Sequence, residues 1–208
     1  MDKKRIIVTS RGLNGKVGRR AIKSALKQCL GEKYGEYLAD KTIMLCTIEE
    51  YGVDELLIES AIALGFQKEN IVIWNENISR EDKSKFKTFS FCYVSEGNTF
   101  QIAQMLRLTG ADSVIQKSIS QGGFYIGASA GAILAGNSIK FAKDFDTNFV
   151  RLTDFEGLNL LPASLGKAVL IPHYNKKQFL RWKKNTPAYL LEEFDYIDYI
   201  PDTKYKLF

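Results

Sequence analysis

Short runs of apolar and β-branched residues alternate along this chain with stretches in which apolar positions recur every three or four residues. Arg5–Ser10 (RIIVTS), Thr42–Thr47 (TIMLCT), Asn70–Trp74 (NIVIW), Phe89–Val94 (FSFCYV), Gly123–Ile126 (GFYI) and Lys167–Ile171 (KAVLI) read as buried strands. Val17–Leu30, Val53–Leu64 and Thr99–Leu108 carry the spacing of helices that bury one face. This βαβα alternation predicts an α/β fold of three layers, a mostly parallel sheet with helices on both faces. Toward the end, Phe194–Ile200 (FDYIDYI) and Thr203–Phe208 read as short strands around Pro201 and Asp202, at the sheet edge. In such folds ligands bind at the carboxyl ends of the strands, so those loops are where chemistry is sought.

Composition narrows the picture. With 208 residues, 45% hydrophobic and 25% charged, the chain fills one core, and a single domain over 1–208 is expected. Disordered, collagen-like and disulfide-scaffold classes are excluded. Cys29, Cys46 and Cys92 are widely spaced and form no C-x-x-C pair, so they read as buried free thiols. One histidine cannot build a multi-histidine zinc site. The basic opening MDKKRIIVTSRG lacks the apolar stretch of a signal peptide, and the longest weakly polar run, Phe124 to Gly136, is about thirteen residues where a membrane span needs roughly twenty. A reducing, cytoplasmic setting without membrane contact is expected. The net charge of +5 is spread among mixed signs and makes no basic face, which argues against nucleic acid as a partner.

The loop from Gly12 to Arg20 (GLNGKVGRR) is rich in glycine and basic residues, a composition that suits phosphate. It matches neither G-x-G-x-x-G nor G-x-x-x-x-G-K-[ST] and reads as an ordinary strand-to-helix turn. The informative segment is Gly127-Ala128-Ser129-Ala130-Gly131, between a strand and the helical AILAG. A serine at a sharp strand-to-helix turn projects its hydroxyl, and the small flanking residues let the two backbones approach. Its hydroxyl needs a base, and His173, in LIPHYN at another strand end, is the histidine available. The oxyanion needs two N–H donors: Ala130, following the serine, and Gly97, in the strand-end loop SEGNTF, are the candidates.

Together, EGNTFQIAQML, GFYIGASAGAILAG, GLNLLP and LIPHYN resemble, in that order, the aspartyl dipeptidase (dipeptidase E) family of serine peptidases, whose fold is like the class I glutamine amidotransferase domain, a flavodoxin-like arrangement. The resemblance implies Ser129 as nucleophile, His173 as base, and Gly97 and Ala130 as oxyanion donors. It points to Asp202, after Pro201, as the acid that orients His173, with Glu156 as second choice and Asp154 as third. The loop before Asn98 reads Ser95-Glu96-Gly97 where the family has consecutive glycines, so Glu96 brings a carboxylate to the mouth of the site. Glu96, Asn98 and Arg181 are the candidate substrate-binding residues, Arg181 for an acidic side chain. The expected activity is hydrolysis of a short peptide, including dipeptides with N-terminal aspartate, through an acyl-enzyme and without metal or cofactor, by a monomer or homodimer. A non-catalytic small-molecule-binding domain, or an esterase or cyanophycinase-type hydrolase on the same fold, are the competing readings.

Overall fold

The computed structural model describes residues 5–48, 53–161 and 169–173, together with the backbone of 188–190 and 196–199. The chain runs β1 (Arg5–Thr9), α1 (Lys16–Leu30), α2 (Tyr34–Leu38), β2 (Ile43–Cys46), α3 (Val53–Leu64), β3 (Ile71–Trp74), α4 (Arg80–Lys85) and β4 (Phe91–Val94). It continues through α5 (Thr99–Thr109), α6 (Ala111–Ser120), β5 (Phe124–Ala128), α7 (Ala130–Leu134), β6 (Val169–Ile171), β7 (Ala188–Leu190) and β8 (Tyr196–Tyr199). One six-stranded sheet has the order β3-β2-β4-β5-β1-β8; its first five strands are parallel, and β8 lies antiparallel to β1 at the edge.

Side-chain alternation along these strands divides the core into the two expected helical layers. Ile6, Val8, Met44, Cys46, Cys92, Val94 and Tyr125 face the layer containing α5, α6 and α7. Ile7, Ile43, Leu45, Phe91, Tyr93, Phe124 and Ile126 face the layer containing α1, α2 and α3. Every residue of β2, β4 and β5 is buried, which is why these strands read as continuous apolar runs. The Phe91 and Phe124 rings stack across adjacent strands with centroids 4.7 Å apart, and Phe66 meets Phe91 edge-on at 5.2 Å. Each such ring removed from water contributes about 1.5–3 kcal/mol.

Two features depart from the sequence expectation. Of the run KAVLI, Val169–Ile171 form β6, but β6 pairs with β7 in a separate two-stranded sheet, because β8 already occupies the free side of β1. The three-residue β7 has no readable periodicity. Between β4 and β5 stand two helices where one was expected: Gly110 takes a left-handed φ of 79° that closes α5, and α6 then buries Ala111, Ile115, Ser118 and Ile119. The expected strand Thr203–Phe208 lies outside the described residues. Cys46 and Cys92 are fully buried and Cys29 is half-buried, all three as free thiols. Among the described residues no helix is long and apolar enough to cross a membrane.

Candidate active site

The turn from β5 into α7 is built by its glycines. A Cβ on Gly131 would collide with the carbonyl oxygen of Val94 on β4, and one on Gly127 would stand 2.7 Å from the carbonyl carbon of Gly131. Only glycine at both positions lets α7 descend this closely onto the sheet. Ser129, held between them, takes φ 49° and ψ −104°, a region L-residues rarely occupy. Hydrogen bonds fix it there. Its N–H donates to Thr9 O at 2.9 Å, prolonging the β1–β5 ladder, and its carbonyl accepts from Ile133 N at 3.0 Å. The buried Tyr125 hydroxyl donates to Gly131 O at 2.7 Å and anchors the start of α7 from below.

His173 approaches from a different element. It follows β6 and Pro172 and, like Ser129, has a left-handed φ, 55°. Its N–H donates to the Ser10 hydroxyl at 3.0 Å, tying it to the carboxyl end of β1. Its Nε2 lies 2.9 Å from Ser129 Oγ, within hydrogen-bond reach. Two residues 44 positions apart are therefore paired as a nucleophile and a base must be.

A cavity of about 110 Å³ opens beside this pair. Gly97, Thr99, Ser129, Asp146 and His173 form its polar wall, with Ile133, Phe145 and Pro172 on the apolar side. Gly97 has φ 142°, which only glycine adopts freely, and it brings the β4–α5 loop to the cavity. Ala130 sits at the first position of α7, directly after Ser129. Clefts of about 360 and 420 Å³ lie elsewhere, the first beneath the amino ends of β2, β4 and β5, the second between α1 and α3. Neither joins a nucleophile to a base.

The other sequence candidates separate. Asn98 is not among the residues that line the cavity. Its Oδ1 accepts from the N–H groups of Phe100 and Gln101, both at 3.1 Å, capping α5, and its Nδ2 donates to Thr147 O at 3.0 Å. Glu96 is absent from the cavity wall: its Oε1 would stand 3.2 Å from a Cβ on Gly12, so its carboxylate lies against the β1–α1 turn. There it adds to the burial that raises the Tyr93 hydroxyl's pKa, while that hydroxyl accepts from Leu13 N at 3.0 Å. Glu156 and Asp154 are exposed and line a different cleft, where Arg107 donates to the carbonyls of both and pairs with the Asp154 carboxylate at 3.3 Å. Asp202 and Arg181 lie outside the described residues.

Sequence reasoning missed Asp146 and Thr99. Asp146 Oδ2 accepts from Thr99 N–H at 2.8 Å, drawing the loop after α7 across the amino end of α5. This second tie, beside that of Asn98, places Asp146 and Phe145 in the cavity wall. The Thr99 hydroxyl oxygen is buried with no partner among the described residues.

Against known proteins, residues 48–197, more than half of the chain, match the model of peptidase family S51. An uncharacterized peptidase of Listeria monocytogenes serovar 1/2a is 37% identical over 119 residues, which make up 56% of this chain and 55% of that protein. Peptidase E of Shewanella denitrificans is 30% identical over 139 residues, 67% of this chain and 56% of its own length. The chain spans about half the length of the curated relatives it matches. A crystal structure from Listeria monocytogenes EGD-e, described as a candidate peptidase E protein, superposes with a TM-score of 0.73 over 99% of both chains at 23% identity, a likeness of fold.

Proposed function

The chain belongs to peptidase family S51, and from that premise we propose that it is a serine peptidase hydrolysing short peptides through an acyl-enzyme on Ser129. The observation that carries the reading is the 2.9 Å approach of His173 Nε2 to Ser129 Oγ at a strained strand-to-helix turn. Ser129 Oγ attacks the scissile carbonyl while His173 takes its proton. The resulting oxyanion is held by the N–H groups of Ala130 and Gly97. His173 then returns the proton to the leaving amine, and water, deprotonated by the same ring, releases the acyl group. Asp202 is the carboxylate assigned to orient His173.

The small cavity beside Ser129 fits a short acyl group rather than a folded chain. A preference for N-terminal aspartate is the narrower form of the proposal, in keeping with relatives named peptidase E. Three free cysteines fit a reducing cytoplasm. The test is turnover of a dipeptide panel, with matched ester substrates, by the wild type and by Ser129→Ala. Dipeptide hydrolysis lost in the variant supports the reading. Hydrolysis of esters alone, or activity retained by Ser129→Ala, overturns it.

A further inference from the structure

The mixed charge of the whole chain hides a concentration of it on one helix: α1 holds Lys16, Arg19, Arg20, Lys23 and Lys27 and no acidic residue. We propose that the cleft between α1 and α3 binds a small phosphorylated compound, whose phosphate is held by Arg19, Arg20 and Lys23. This cleft shares no residue with the Ser129 cavity, so the inference stands apart from the role of Ser129.

The cleft measures about 420 Å³ and has two unlike walls. Arg19, Arg20 and Lys23 come from α1, and Ser60, Ala63 and Leu64 from α3. Arg19 is half-buried and already oriented, its Nη1 donating to Leu13 O at 2.8 Å and reaching Ser60 Oγ at 3.4 Å. That anchor leaves the other N–H groups of its planar fork for a ligand. Among the described residues no carboxylate lines the cleft, and none pairs with Arg19, Arg20 or Lys23.

Without an anion this arrangement opposes its own helix. Cations three and four residues apart on one face repel each other. Of the five on α1, Lys27 alone meets a carboxylate among the described residues, Glu32 at 2.8 Å. Lys16, Arg19 and Arg20 stand within the first five positions of α1, at the positive end of its dipole, where acidic residues stabilise and basic ones do not. No acidic residue occupies that first turn, and Gly15 caps it without a side chain. A dianion between Arg19, Arg20 and Lys23 turns the repulsion into attraction.

Phosphate suits the cleft better than carboxylate. A carboxylate carries one charge, which a single bidentate guanidinium meets. A phosphate monoester carries about −1.5 to −2 charge at pH 7 and three acceptor oxygens, enough for three cationic side chains at once. Ala63 and Leu64 offer an apolar wall to the body of the ester. A nucleic acid strand would continue past the cleft over α3, where the exposed Glu55 and Glu59 repel it. The segment from Gly12 to Arg20, whose composition suits phosphate, thus contributes through Arg19 and Arg20 on the helix.

The test is calorimetry on the full chain at fixed ionic strength in chloride, with glycerol 3-phosphate, inorganic phosphate, glycerol and a short DNA duplex as probes. The same titrations are repeated with the double variant Arg20→Gln, Lys23→Gln and with Ser129→Ala. Glycerol 3-phosphate should bind with a dissociation constant of about 1 mM or tighter, and glycerol should not bind. The double variant should weaken binding of the ester at least tenfold, while Ser129→Ala leaves it unchanged. Both exchanged side chains are exposed, and relief of their repulsion should leave the melting temperature in phosphate-free buffer no lower than that of the wild type. Binding of neither phosphate probe, equal binding of glycerol, tighter binding of the duplex, binding of the ester undiminished in the double variant, or its loss in Ser129→Ala overturns the proposal. Peptide turnover by the wild type reports separately on Ser129.

Discussion

His173 Nε2 lies 2.9 Å from Ser129 Oγ, and both residues hold left-handed backbone conformations, with φ of 55° and 49°. Such conformations cost about 1–3 kcal/mol each and persist only where surrounding bonds over-determine them. For Ser129 the bonds belong to the β1–β5 ladder and the first turn of α7. For His173 the described tie is the Ser10 hydroxyl.

Ser10 is accordingly a positioning residue. Ser10→Ala removes the acceptor for His173 N–H, a bond contributing about 1 kcal/mol. We expect kcat to fall about fivefold to tenfold with KM unchanged, and Ser10→Thr, which keeps a hydroxyl, to recover most of it. Steady-state kinetics on one dipeptide checks the split between kcat and KM.

Gly131→Ala places a methyl group against the Val94 carbonyl oxygen and forces α7 off the sheet. Overpacking of this kind costs about 1–3 kcal/mol. The melting temperature should drop, and activity should fall further than stability alone explains, because Ala130 and Ser129 move with the helix. The same substitution at Gly15, where nothing lies within 4 Å, should leave activity unchanged.

The three carboxylates raised by the sequence also differ in expected effect. Glu156 and Asp154 are exposed, with their loop clamped by Arg107 away from the Ser129 cavity. Glu156→Gln should therefore keep activity within tenfold of wild type. Asp202→Asn should lower kcat by several hundredfold or more, as loss of the orienting acid does in other triads. The reverse pattern, measured by kcat of the purified variants, would assign the role to Glu156.

Buried thiols and phenols should weaken the fold at alkaline pH. Burial pushes the Cys92 thiol from its ordinary 9.0 up to about 12, and it also raises Cys46, Tyr93 and Tyr125. The unfolded chain releases these protons first, so their contribution is whole below pH 9 and declines as pH rises from there toward 12. Where the unfolded thiol is ionised and the folded one is not, each thiol contributes a loss of about 1.4 kcal/mol per pH unit. Urea midpoints should be level between pH 8 and 9 and lower at pH 10, while Cys46 and Cys92 stay protected from thiol reagents in the folded protein.

Local features were the legible ones. The apolar runs of β1, β2, β4 and β5 are buried on both faces and so announce themselves without their neighbours. The glycines flanking Ser129 are demanded by a turn of five residues, and His173 stood out as the one imidazole in the chain. Asp146 was not legible, because its place in the cavity comes from a bond to Thr99, 47 residues away, that no spacing encodes. The direction of the Glu96 side chain was not legible for the complementary reason: it adjoins Gly97 in sequence, but its carboxylate lies toward Gly12. The pairing of β6 with β7, away from the main sheet, likewise depends on β8 claiming the edge of β1.

The central claim is that Ser129 is a nucleophile activated by His173. A fluorophosphonate probe followed by peptide mass spectrometry tests it most directly. The adduct should appear on Ser129 in the wild type, vanish in Ser129→Ala, and form at least a thousandfold more slowly in His173→Ala. An unmodified Ser129 in the folded wild type, or labelling at the same rate in His173→Ala, would contradict it.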